Sequence, residues 1–202
     1  MSEIKGADRS WDVGGRHDRE TAWRLLCEHT QSDSLRKHGL AVESAMRGLA
    51  RTAGEDEELW GIVGLIHDFD YEKYPDPFEH GLAGGRMLRE LGWPDIMIHA
   101  VESHNDHVGV LRESLMEHSL FSCDELSGFI MAVAMVKGRD LTMVEPRSVH
   151  KKLKDRGFAR NVSREDVEKG WRELSVDPDD HIRFLVECLS RVAPAIGLTA
   201  SG

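Results

Sequence analysis

Apolar residues recur at three- and four-residue intervals along most of this chain, and nowhere does alternation last long enough to suggest a strand. The spacing predicts a first helix over about 19–29, with Trp23, Leu26 and Cys27 inward. A second follows the capping signals Ser32 and Ser34, carries Leu35, Val42, Ala45, Met46 and Leu49 on one face, and ends near Gly54. The third, about 55–67, has acidic residues in its first turn, where the helix dipole favours them. A loop with Pro75 and Pro77 leads to a fourth helix from near His80 to Gly92, and Pro94 opens a fifth that runs to about Ser103. Residues 105–117 are polar and read as loop; 119–136 is the most apolar helix, ended by Gly138. Glu145-Pro146 begins a basic helix, Ser163 and Asp166 cap another that runs to Leu174, and a last helix covers about 178–192. With no internal repeat and no linker, the expectation is an all-α fold, one domain of eight or nine helices over 19–197, preceded by a loose tail at 1–18.

Several positions break the pattern in the same way. The apolar run from Leu59 to Ile66 passes straight into His67-Asp68, and an unpaired carboxylate buried there would cost several kcal/mol or more. His38 lies on the inward stripe of the second helix, His80 begins that of the fourth, His104 ends that of the fifth, and Asp124 sits on that of the sixth with Leu120, Ser127 and Met131. One inward histidine is ordinarily a hydrogen-bonded core residue, and one inward aspartate a cap or an arginine partner. Four imidazoles and two carboxylates from five segments neutralise one another poorly unless a cation joins them. Imidazole with carboxylate suits one or two divalent transition-metal ions, iron, manganese, nickel or zinc, and no thiolate belongs to the set.

The ordered set His38, then His67-Asp68, then Asp124 resembles the H…HD…D pattern of the HD-domain superfamily, a helical fold of metal-dependent phosphohydrolases. The resemblance spans roughly residues 20–190 and implies that His38, His67, Asp68 and Asp124 hold a first metal. His80 and His104 resemble the second-metal ligands of its binuclear members, such as the HD-GYP cyclic dinucleotide phosphodiesterases, with Asp68 as the bridging, catalytic ligand. The nearest likeness is to small stand-alone HD hydrolases with a similar HD-x-D-Y-E stretch and a similar basic helix, here 147–154. The GYP signature is missing, and His104-Asn105-Asp106-His107 stands where those enzymes have paired histidines, so His107 competes with His104. Asp70, Tyr71 and Glu72 occupy the place of a catalytic helper, without a role assigned to any of them.

The resemblance implies hydrolysis of a small phosphate ester or nucleotide by a metal-activated water. A di-iron oxygenase of the same superfamily matches the six ligands equally well, and a non-enzymatic regulatory module is the third reading. For substrate binding Lys152 is the best candidate, beside the Val149/Leu153 stripe, with Lys137, Lys151 and Lys154 behind it; the plain alternative for that helix is a solvated face. His17, His29, His118 and His181 read as surface or capping residues, Met131 and Met135 as core, and Gly84-Gly85 as close helix packing.

Charge narrows the partners. Twenty-six basic against 36 acidic residues give −10, which argues against a nucleic-acid polymer or an anionic membrane but leaves room for a small phosphorylated substrate. Cys27, Cys123 and Cys188 have no paired spacing and read as reduced core thiols, hence a cytoplasmic expectation. No uninterrupted apolar run reaches about 18 residues, the length at which a membrane span is expected. Oligomeric state is left open.

Overall fold

The computed structural model describes residues 16–199. Among them it is all-α, as the periodicity requires, with ten helices and no strand. These are α1 (Arg19–His29), α2 (Asp33–Ala53), α3 (Glu57–Ile66), α4 (Leu82–Glu90), α5 (Asp95–Ser103), α6 (Leu115–Val136), α7 (Pro146–Leu153), α8 (Arg164–Leu174), α9 (Pro178–Ser190) and the single turn α10 (Ala193–Ile196). Most of the expected tail, 1–15, lies outside the described residues. His17 does not behave as tail or surface: it is buried, its ring 4.9 Å from that of Trp93.

The starts are written in side-chain caps. Asp18, Ser32, Asp56, Ser163 and Asp177 each accept a backbone N–H of the helix that follows. α6 begins four residues earlier than the apolar pattern suggested, because Ser114 and Glu117 form a reciprocal capping box and Glu117 turns inward. α4 begins later than expected. Gly81, at φ +87°, breaks the chain after His80, and the carboxylate of Asp70 accepts the N–H groups of Gly81 and Gly84 in place of a local cap.

α2 is the central post, packed on α3, α6, α9 and α10, while α3 also meets α1 and α5. Helices α2 and α3 approach closely through glycines: a β-carbon on Gly64 would stand 2.9 Å from the Val42 carbonyl, and one on Gly39 2.8 Å from that of Leu65. The Gly84-Gly85 pair serves close packing as read from the sequence, with Gly84 over Asp70 and Gly85 against Glu102. Trp60, Ile62, Leu65, Ile66 and Phe69 lie in the core, so the segment carrying His67-Asp68 is fixed on both sides. Met135, read as core, is 54% exposed near the free end of α6.

By length and composition alone, α6 is apolar enough to cross a membrane, which the sequence reading did not anticipate. Here it carries Asp124 and Glu125 and is mostly buried by its neighbours, as a core helix of a bundle is. Cys27, Cys123 and Cys188 are free thiols, the last two buried.

His181 corrects a second surface assignment. It is buried between α9 and α6, with Nε2 3.0 Å from the Ser122 hydroxyl, and burial pushes its pKa down to about 4. A ring that is neutral when folded but titrates at its ordinary value when unfolded adds stability in full above pH ~6.5, and that stability drains as pH falls towards 4. In urea titrations the native protein should therefore lose about 2 kcal/mol more than His181→Gln between pH 7 and pH 5. Parallel pH profiles for the two proteins would contradict this role.

Candidate metal centre

The polar residues that broke the apolar pattern meet at one place. His38 comes from the second turn of α2, His67 and Asp68 directly follow α3, His80 precedes α4, His104 ends α5, and Asp124 lies mid-way along α6. They form two groups whose ligand atoms lie within 4.8 Å of one another: His38, His67, Asp68 and Asp124, and then Asp68, His80 and His104. Asp68 belongs to both. One oxygen, Oδ1, lies 2.9 Å from His80 Nε2, 3.3 Å from His104 Nε2 and 3.5 Å from His67 Nε2, while Oδ2 is 3.7 Å from His38 Nε2. Asp124 Oδ1 stands 2.9 Å from His38 Nε2 and 3.3 Å from His67 Nε2.

The far side of each ring explains why the near nitrogen is available. His67 Nδ1 donates to the Gly64 carbonyl at 2.8 Å, and His104 Nδ1 to the Val101 carbonyl at 2.5 Å. His80 Nδ1 lies 2.9 Å from Asp70 Oδ1, at ion-pair distance though off the hydrogen-bond axis. A proton placed on Nδ1 leaves Nε2 as a lone-pair donor. Yet His80 and His104 bring their Nε2 atoms to 3.0 Å, and His38 and His67 to 3.3 Å. Two lone pairs cannot face each other at that distance without a cation or a shared proton between them. The donor set therefore fits one or two divalent ions.

The electrostatics agree. Burial opposes a charge on His67, but Asp68 and Asp124 lift its pKa to about 9; against the same penalty, Asp68 and Asp70 raise His80 to about 10. Burial alone would raise Asp68, yet the facing rings of His67, His104 and His80 hold it well below the usual carboxylate range. The chain has prepared positions that favour positive charge.

His107 is not one of the converging atoms. It lies on the wall of the cavity above the centre, its ring 5.6 Å from Phe78, so His104 takes the inward place. Lys152, the candidate for substrate binding, does not line this cavity, and neither does Lys137, Lys151 or Lys154. Its ammonium pairs with Asp155 at 3.5 Å and sits over the Phe158 ring at 4.5 Å. α7 is only eight residues long and buries Val149 alone, too little periodicity to orient a neighbouring lysine. His118 pairs with Glu173 and His99 with Glu117.

The three undecided residues now separate. Asp70 is fully buried and holds His80, Gly81 and Gly84 together. Glu72 accepts the N–H groups of Gln31 and Ser32 and steadies the entry to α2. Tyr71 faces the cavity with its ring edge-on to His80 at 5.0 Å. Two further groups escaped the sequence reading. Asn105 donates to the carbonyls of Pro77 and His80 and so ties the two loops at the rim. Glu125 also lines the cavity, and burial with the nearby charge of Asp124 pushes its pKa up to about 8. Arg112, packed on Phe121, pairs with Asp106 of its own loop and ties the 105–114 loop to Glu173 of α8. The cavity is about 580 Å³, the size of a small-molecule site.

With this geometry in hand the comparison with known families is decisive. Residues 35–127 match the family model described as the HD domain. The chain carries an HD domain. All six converging residues fall inside the matched segment, whereas α7 to α10 lie beyond it. HD domains bind divalent metals, and most of their superfamily are metal-dependent phosphohydrolases. No curated protein and no solved structure is similar enough to the chain to be matched.

Proposed function

We propose that this HD domain is a metal-dependent phosphohydrolase that cleaves a small phosphate ester or nucleotide with water. The observation that carries the reading is the position of Asp68, one carboxylate within 3.7 Å of all four histidines and common to both groups. A two-ion centre needs such a shared donor. Bound there, divalent ions would acidify a water molecule and neutralise charge on the phosphoryl oxygens. His38, His67, Asp68 and Asp124 would hold the first ion; His80 and His104, with Asp68, the second.

The chain's own groups do the rest. Backbone carbonyls fix the rings of His67 and His104, and Asp70 that of His80, so that Nε2 faces inward. Asn105 keeps the two rim loops at a set distance. Glu125 lines the cavity beside Asp124, where burial and that neighbouring charge push its carboxyl pKa up.

The test combines elemental analysis of the purified protein with hydrolysis assayed in the absence of oxygen. Two ions per chain and phosphate release from a generic aryl phosphate, with manganese or nickel restored after chelation, are expected. Two irons and turnover only with oxygen would instead identify an oxygenase on the same ligands. A chain that takes up no metal would leave only a regulatory module.

A further inference from the structure

We infer, resting on the phosphohydrolase reading, that the substrate carries a single phosphoryl group and an uncharged aromatic ring, and that the ring lies against Tyr71 at the cavity mouth. Charge comes first. Two divalent ions, less the charges of Asp68 and Asp124, leave a positive charge that matches one phosphate dianion. Nothing else in the cavity adds to it: among the described residues no lysine or arginine lines this space. Three more carboxyl groups line it, Asp106, Glu125 and Asp166; Asp106 is already paired with Arg112 and Lys169, and Asp166 would face any second phosphate with like charge. Arg156 and Arg160 line a separate hollow, which meets the cavity only at Val162 and Ser163. A site for a polyphosphate would need cations where this one has acids.

Part of the cavity wall is apolar and aromatic. Tyr71 is 41% exposed although its ring is within 5.0 Å of the ring of His80, so a π face stands one group away from the metal positions. Pro75 and Pro77 continue the same wall. Phe78 is 68% exposed and packs edge-on against His107, which lines the cavity. Isolated exposed aromatics are ordinary, but Tyr71 lines the cavity, Phe78 packs on His107 of its wall, and Asn105 braces the loop that carries Phe78. Such a wall recognises a flat apolar ring by stacking and edge contacts, about 1–3 kcal/mol per ring.

The experiment uses inert ligands, so that recognition is separated from turnover. The full chain loaded with manganese is titrated calorimetrically with phenylphosphonate, methylphosphonate and benzene-1,4-diphosphonate, with metal content confirmed for every variant. Phenylphosphonate should bind about tenfold more tightly than methylphosphonate. Tyr71→Leu should erase that ratio while leaving methylphosphonate affinity in place, and Tyr71→Phe should keep it. The second phosphonate of the benzene compound should weaken binding about tenfold. Equal affinity for the phenyl and methyl ligands, a ratio that survives Tyr71→Leu, or tighter binding of the diphosphonate overturns the inference. Ring preference without hydrolysis of any phosphoester would sink the enzymatic reading and leave this one standing; hydrolysis without ring preference would do the reverse. Binding of neither monophosphonate would overturn both.

Discussion

On the phosphohydrolase reading, Asp68→Ala will emerge from purification without transition metal, and phosphoester hydrolysis will fall on the order of a thousandfold or more. The expectation follows from a count of what each side chain serves. His38 and Asp124 belong to one ligand group, His80 and His104 to the other, and Asp68 to both. Its removal withdraws the shared oxygen and also a negative charge, leaving imidazoles whose Nε2 atoms stand 3.0 and 3.3 Å apart with one carboxylate fewer to balance a cation. His80→Ala is the matched control, since it touches only the second group and should leave one ion per chain. Elemental analysis of both variants, alongside circular dichroism to show that the helices persist, reads the difference directly. A full metal complement in Asp68→Ala would end the case for a shared carboxylate.

What could be read from the sequence, and what could not, divides along one physical line. Helical periodicity tells which positions face inward, so a polar residue on an inward stripe announces itself. His38, Asp124 and the residues that end apolar runs, His67 and His104, were legible for that reason. Asp70 sits in the irregular turn between α3 and α4, where there is no period to violate, and its three partners become visible only in three dimensions. Lys152 lies off the cavity for the opposite reason: a short helix with one buried side chain offers a stripe too brief to aim a lysine. Glu117 falls in the polar stretch that reads as loop, and His181 reads as a surface or capping residue because polar residues usually are. Glu117 turns in to cap its own helix, whereas His181 finds Ser122 59 positions away, a pairing no local pattern encodes. The helices and the centre of the site were thus written in spacing, while the supports and the walls depend on contacts between distant segments.

Asp70→Asn tests those supports, and its effect should fall on one ion alone. The native carboxylate has two jobs at once: Oδ2 accepts the N–H groups of Gly81 and Gly84 and so starts α4, while Oδ1 faces Nδ1 of His80. Asparagine is nearly the same shape but has only one acceptor oxygen. If that oxygen keeps the two glycine N–H groups, its amide N–H points at His80 Nδ1 and forces the ring's proton onto Nε2, the atom that would bind metal. The first ligand group does not depend on His80. The variant should therefore retain one ion with ordinary affinity and bind the second about 10–100-fold more weakly. Activity should recover in part as free metal is raised, a rescue that a merely unfolded protein would not show. Asp70→Ala is the harsher change, because it also leaves the two buried N–H groups at the start of α4 without an acceptor, at about 1–3 kcal/mol each. Two tightly held ions in Asp70→Asn would mean that His80 is oriented by its packing against Tyr71 and His104, and that the buried carboxylate serves only to begin the helix.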